Sequence, residues 1–128
     1  MTDQGASRDW SLFLQDMRQF CRKVTRYTAG LSAEEFASNE IVYDAVLRNL
    51  ELLGEATKQI PDEVRNRHPQ LPWRRIAGLR DVLAHAYFGL EHETIWQVVI
   101  TSIPALSLQL EAVALAEGLP PLAINPSC

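Results

Sequence analysis

Arg80, Asp81, His85 and Tyr87 fall within eight consecutive residues, Arg80-Asp81-Val82-Leu83-Ala84-His85-Ala86-Tyr87, and the spacing predicts that they share two turns of one helix. Their neighbours are apolar or small, so these polar groups need internal partners or a reaction to serve. At about 100° per residue Asp81 and His85 lie on one face, where the carboxylate orients the ring and favours its protonated form. The chemistry that suits such a set is attack by a ribose 2′-hydroxyl on its neighbouring phosphate. Histidine moves protons near neutral pH, and guanidinium forks onto phosphate oxygens as charge builds in the transition state. No metal and no cofactor is needed. The reaction wants a base for the 2′-hydroxyl and an acid for the leaving 5′-oxygen, and one His85 per chain supplies one of the two. Two-fold pairing would supply the other.

The helix geometry leaves a problem open. Arg80 lies about 140° around from His85, and Tyr87 falls nearly in line with Arg80. Three solutions remain: the long arginine swings round, the helix opens after His85, or a second copy completes the site. A plainer reading stands beside them. In it Arg80 and Asp81 form an exposed pair, and His85 and Tyr87 pack their rings in the core.

The rest of the chain bounds the setting. With 128 residues, 47% of them hydrophobic, it predicts one domain (1–128, core about 9–117) that buries a core without staples. Cys21 and Cys128 imply no disulfide framework, and no charged start with an apolar run marks an export signal, so a cytoplasmic location is expected. No stretch reads as the roughly 18 uncharged apolar residues of a membrane span. The net charge of −4 argues against a general polyanion binder, yet its distribution matters more. Arg65, Arg67, Arg74, Arg75, Arg80 and His68 occur between Val64 and Arg80 with no acidic residue among them. This run is either a solvated basic face or a phosphate-holding one.

Apolar periodicity is helical throughout, which predicts an all-α fold. Trp10, Phe13, Leu14, Met17, Phe20, Cys21, Val24 and Tyr27 form one stripe over about 9–28, and Gly30 closes that helix. Ser32 and Glu35 make a capping box for a short helix, with Leu31 and Phe36 as its staple. Asn39 caps a helix to about Ile60, with Tyr43, Val46, Leu50, Leu53 and Thr57 inside. Pro61 to Pro72 reads as a loop with one helical turn. Pro72 then opens a helix through Trp73, Ile76, Leu79 and Leu83 that stops at Gly89. The last helix runs from about Glu91 to Glu117, with Ile95, Val99, Ile103, Leu106, Leu110 and Val113 inside and a kink at Pro104. Residues from Leu119 onward, with their prolines, are expected to be loose or draped on a partner. Four long helices with short turns between them predict an antiparallel four-helix bundle.

Four further residues are distinctive. Glycine inside a helix costs about 1 kcal/mol relative to alanine, so Gly54 suggests a close helix approach. Its neighbour Glu55 reads as a satisfied core carboxylate or, as the lesser reading, a partner for a cation on the signature helix. His92 lies seven residues after His85, but Gly89 breaks the helix between them and no metal site is expected there. His68, beside Pro69, reads as a surface residue.

Arg80, His85 and Tyr87 reproduce the RxxxxHxY signature of the HepT-type toxins, minimal members of the HEPN ribonuclease superfamily, which this chain resembles. The similarity extends to Pro72-Trp73-Arg74-Arg75-Ile76-Ala77-Gly78-Leu79 before the signature. It also takes in Arg48-Asn49-Leu50-Glu51-Leu52-Leu53-Gly54-Glu55-Ala56 and Glu93-Thr94-Ile95-Trp96, so it covers roughly residues 10 to 115. The resemblance implies a homodimer whose signature helices face each other, with two Arg80 and two His85 lining one metal-independent RNA-cleaving site. Asp81 supports it, and Arg74 and Arg75 become candidates for holding RNA. It further implies a toxin–antitoxin pair in which an MntA-like minimal nucleotidyltransferase transfers AMP from ATP onto Tyr87. Phosphodiester-linked nucleotides there would place charge and bulk beside His85. The alternative within the same resemblance is a non-catalytic accessory or substrate-binding subunit of that nucleotidyltransferase.

Overall fold

A computed structural model describes residues 9–86 and 92–122, residues 85 and 86 by backbone alone. The described residues are helical, as α1 (Trp10–Thr28), α2 (Ala33–Ser38), α3 (Glu40–Thr57), α4 (Asp62–Arg67), α5 (Trp73–Ala77), α6 (Leu79–Ala86), α7 (His92–Gln97), a π-helical turn (Val98–Ser102) and α8 (Ile103–Ala116). The helices share one core. It runs from Leu14, Met17, Cys21 and Val24 on α1 through Val46, Leu50 and Leu53 on α3 to Ile103, Leu106, Leu110 and Val113 on α8.

Local capping chemistry starts the first three helices where the residue types indicate. The Asp9 carboxylate accepts from the Ser11 N–H at 3.1 Å, and the Asn39 side-chain oxygen accepts from the Val42 N–H at 3.1 Å. Ser32 and Glu35 close their capping box in both directions, at 2.8 and 3.1 Å. Gly30 then carries the left-handed φ of 79° that turns the chain after α1. The end of α3 is sealed differently. Arg65, from α4, donates to the carbonyls of Thr57 (2.9 Å) and Ile60 (3.0 Å), at and just past the helix end.

The helix expected to run unbroken from Pro72 to Gly89 is instead two, α5 and α6, divided at Gly78 with φ −90° and ψ 8°. α3 makes room beside this break. Gly54 has no side chain, and the carbonyls at the end of α5 press into the space: a Cβ on Gly54 would lie 3.2 Å from the Ile76 oxygen and 3.7 Å from that of Ala77. Gly78, with no β-carbon and a poor helix propensity, yields there. α5 is anchored at its other end by the Trp73 indole N–H, which donates to the His68 carbonyl at 2.8 Å.

The last helix has the expected extent and one feature that periodicity does not show. From His92 to Ala116 it is continuous, and the proline at 104 is accommodated by one turn of π-helix in which the Ile103 N–H bonds the Val98 carbonyl, five residues back. Its inner residues Ile95, Val99, Ile103, Leu106, Leu110 and Val113 are all buried, as the periodicity requires. By length and composition this helix is apolar enough to cross a membrane, which corrects the expectation that no such stretch exists, although one side of it is a wall of the core.

After α8, Gly118 (φ 75°) and Leu119 donate back to Leu115 and Ala114, a Schellman ending, and Leu119 packs on the core. The Pro120 carbonyl accepts from Arg18 at 3.0 Å, so residues 119 and 120 are fastened to α1 rather than loose. The Arg18 guanidinium is itself buried and grips Glu111 through two bonds, 2.7 and 3.0 Å.

Glu117 ties α8 to α4. It takes two bonds from Arg67 (3.0 and 2.9 Å) and meets the His68 ring nitrogen at 2.6 Å. His68 is therefore buried, against the surface position expected of it. The bonds from Arg67 and then His68 hold the Glu117 carboxyl down to about 2. A carboxylate lowered in the fold contributes stability that is present above its ordinary value of 4.5 and lost as the pH falls through about 2. Glu117→Gln is thus expected to lower the thermal midpoint by several degrees at pH 7. The gap to wild type should close between pH 4.5 and 2, which thermal denaturation across pH will measure.

Candidate active site

α6 lies on α3 with Leu79 and Leu83 inward and buried, so its outer side carries Arg80, Asp81 and Ala84, all exposed. Arg80 is the second residue of α6, and its side chain is 73% exposed. The guanidinium reaches toward Glu55 of α3, with Nη1 3.9 Å from Oε2. Glu55 is itself about half exposed and also holds Lys58 at 3.2 Å. This settles its role: it is a surface carboxylate facing a cation of the signature helix, the lesser of the two sequence-based readings, and it is no core group. An exposed pair at this distance holds its partners weakly, which leaves the Arg80 guanidinium able to exchange partners.

Asp81 stands in the first turn of α6, where the helix dipole favours a carboxylate, and its N–H bonds the Gly78 carbonyl at 3.1 Å. His85 lies on the same helix four residues on, in register with Asp81. Its ring, and therefore the expected Asp81–His85 contact, lies outside the described side chains, as Tyr87 lies outside the described residues. Register alone fixes one relation. Arg80 is turned to the α3 flank, and position 85 is about 140° around the helix from it. One chain presents the two on opposite flanks of the outer face.

The basic run divides into two groups. Arg65 caps α3, Arg67 pairs with Glu117 and His68 is buried against the same carboxylate, so all three are committed to the fold. Arg74 and Arg75, by contrast, are exposed on α5, next in the chain to Arg80 on α6. Arg75 also borders an open groove of about 480 Å³ whose walls include Leu79 and Val82 on one side and Thr101, Ala105 and Leu106 on the other.

Other reactive groups are placed as structure. Burial pushes the Cys21 thiol up to about 12, which leaves no thiolate for nucleophilic work near neutral pH. His92 stands edge-on to Tyr43, ring centres 4.8 Å apart, at the end of an aromatic row that continues through Phe36 to Trp96. No group of three or more His, Cys, Asp or Glu among the described residues is disposed to hold a metal ion.

Comparison with known proteins bears on the same residues. The family model described as "Ribonuclease HepT-like" matches residues 17–113, a span that contains α3, α5, α6 and the whole signature. The chain is 36% identical over 106 residues to "Putative RNase MJ1216" of Methanocaldococcus jannaschii, covering 83% of this chain and 88% of that one. It is 37% identical over 101 residues to "Putative RNase TTE0752" of Caldanaerobacter subterraneus (79% and 90%). To "Probable ribonuclease HepT" of Thermococcus cleftensis it is 36% identical over 99 residues (77% and 90%). No solved structure matches it.

Because α6 is seated by backbone pressed against Gly54, a methyl group there tests the seat. Gly54→Ala gains about 1 kcal/mol of helix propensity but must push a carbonyl, and overpacking costs about 1–3 kcal/mol. The expected result is a lowered thermal midpoint for Gly54→Ala and a further fall for Gly54→Val. A midpoint raised by alanine would show that the helix ends have room to move.

Proposed function

The chain belongs to the HepT-like ribonuclease family, and from that premise we propose that it is the toxin of a toxin–antitoxin pair: a cytoplasmic, metal-independent endoribonuclease acting as a homodimer of antiparallel four-helix bundles. The observation that carries the reading is the exposed, loosely held guanidinium of Arg80 on the same short helix as His85, within the span that the family match covers.

In the proposed reaction the ribose 2′-oxygen forms a bond to the adjacent phosphorus and the bond from phosphorus to the 5′-oxygen breaks. The products are a 2′,3′-cyclic phosphate and a free 5′-hydroxyl. One neutral His85 takes the 2′-hydroxyl proton, and the protonated His85 of the second copy gives a proton to the leaving oxygen. Arg80 binds the non-bridging oxygens as they gain charge. Asp81 favours the imidazolium. The divergence of Arg80 and position 85 around α6 supports pairing, since two copies facing each other supply from the partner what each lacks. Arg74 and Arg75 steer the RNA backbone toward the site.

The second half of the reading concerns control. An MntA-like nucleotidyltransferase transfers AMP from ATP to the Tyr87 oxygen, releasing pyrophosphate. The added phosphodiester repels the RNA backbone next to His85.

Cleavage of a labelled RNA is expected to persist in EDTA and to leave cyclic-phosphate ends. Arg80→Ala should slow it about 10²–10³-fold and His85→Ala about 10²–10⁴-fold, with the fold intact by circular dichroism. Cleavage unchanged in both variants would contradict the assignment of these residues, and wild type that does not cleave would favour the accessory-subunit reading. Co-expression with the nucleotidyltransferase should add whole AMP masses to the chain. Tyr87→Phe should remove them.

A further inference from the structure

Beyond the signature, the outer side of the last helix has a pattern of its own. Thr101, Ala105, Leu108, Ala112 and Leu115 are all exposed, and their spacing of four, three, four and three is that of a packing seam. Leu108 is 75% exposed and Leu115 83%. Only 33% of the apolar stretch of this helix is buried in its own chain, so much of its apolar character faces outward. Between Val98 and Ala116 the single charged residue is Glu111, at the edge of this seam, and Arg18 already holds it through two bonds.

We propose that a second copy of this chain covers the seam, with the two last helices antiparallel. This rests on the paired reading given under Proposed function and names the surface through which the pairing occurs. The residue order carries the choice of occupant. When the helices run antiparallel with Leu108 opposite the partner's Ala112, Ala105 falls opposite the partner's Leu115, and each leucine meets an alanine. Large residues facing small ones interdigitate and let the helices approach closely. The same register repeats by symmetry, so the face is complementary to itself.

Charge excludes the main competitor. A helix that lies on an anionic membrane carries Lys and Arg along its polar edge, and this sequence has neither after Arg80. A standard interface takes about 800 Å² from each partner, more than one helix edge offers. The groove beside α6 supplies the remainder, since Thr101 and Ala105 belong both to the seam and to its wall. A copy docked on α8 therefore also lies over Val82 and next to Arg75.

The test compares wild type, Leu108→Glu/Leu115→Glu and Ile41→Glu. Ile41 is 83% exposed on α3 and outside the seam. Circular dichroism and thermal midpoint report the fold, light scattering and sedimentation report mass, and RNA cleavage is measured in parallel. The expected result is a dimer for wild type and Ile41→Glu, and a folded monomer for the double variant with its dissociation constant raised at least a hundredfold. In a Cys128→Ser background, Leu108→Cys/Ala112→Cys should link two chains on oxidation. An unchanged dimer in the double glutamate variant, with no oxidative link in the cysteine variant, overturns the seam and leaves the paired reading standing. A wild-type monomer overturns both. A monomeric double variant that cleaves at the wild-type rate keeps the seam and removes the shared site. Sedimentation of wild type with phosphatidylcholine–phosphatidylserine vesicles, abolished by the glutamates while mass stays constant, reassigns the face to a membrane and overturns the proposal.

Discussion

Two backbone carbonyls pressed against a missing side chain fix the geometry on which the site depends. Because position 54 is glycine, the carbonyls at the end of α5 come closer to α3 than a β-carbon there would readily allow, and the chain breaks at Gly78 before α6 begins. That break sets where the next turn starts. Leu79 and Leu83 then point inward, Arg80 comes out beside Glu55, and position 85 is carried to the other flank. A residue larger than glycine at 54 would move the cation and the imidazole together, since both ride on the same eight-residue helix.

The electrostatics follow from how the arginines are divided. Arg18, Arg65 and Arg67 close gaps in the fold, each against a carboxylate or a row of helix-end carbonyls, and two of these contacts tie α8 to distant parts of the chain. Arg74, Arg75 and Arg80 follow one another along α5 and α6 and face solvent. No Lys or Arg follows Arg80 in the sequence. Exposed cations also stand on α1 (Arg22, Arg26), on α3 (Arg48) and at the α3 C-cap (Lys58), whereas α8 carries none and has Glu111 as its one charged residue.

What the sequence made legible was local. The capping box at Ser32, the cap at Asn39 and the inner stripes of α1, α3 and α8 depend on residues three or four apart, and each appears where spacing places it. What escaped depends on partners far along the chain. His68 is buried because Glu117, forty-nine residues on, reaches it. Arg18 sits on an apolar face only because Glu111 and Pro120 come to it, and its place in that stripe was the one available signal. The break at Gly78 lies beside the close approach at Gly54, twenty-four residues earlier, and the π turn directly before Pro104 is a local rearrangement that apolar spacing does not reveal. Of the site, residue types and register were readable from the octapeptide. The partnership of Glu55 with Arg80 was open in the sequence because both of its readings satisfy a carboxylate next to Gly54.

The central proposal is that the guanidinium and the imidazole that meet one phosphate come from two chains, so the working unit is a pair. Specific RNA-cleaving activity measured through a dilution series, beside the mass of the species present at each concentration, tests it most directly. The account predicts that activity per chain falls in proportion to the dimer fraction and vanishes with it. Full activity per chain in a solution shown to be monomeric would contradict it.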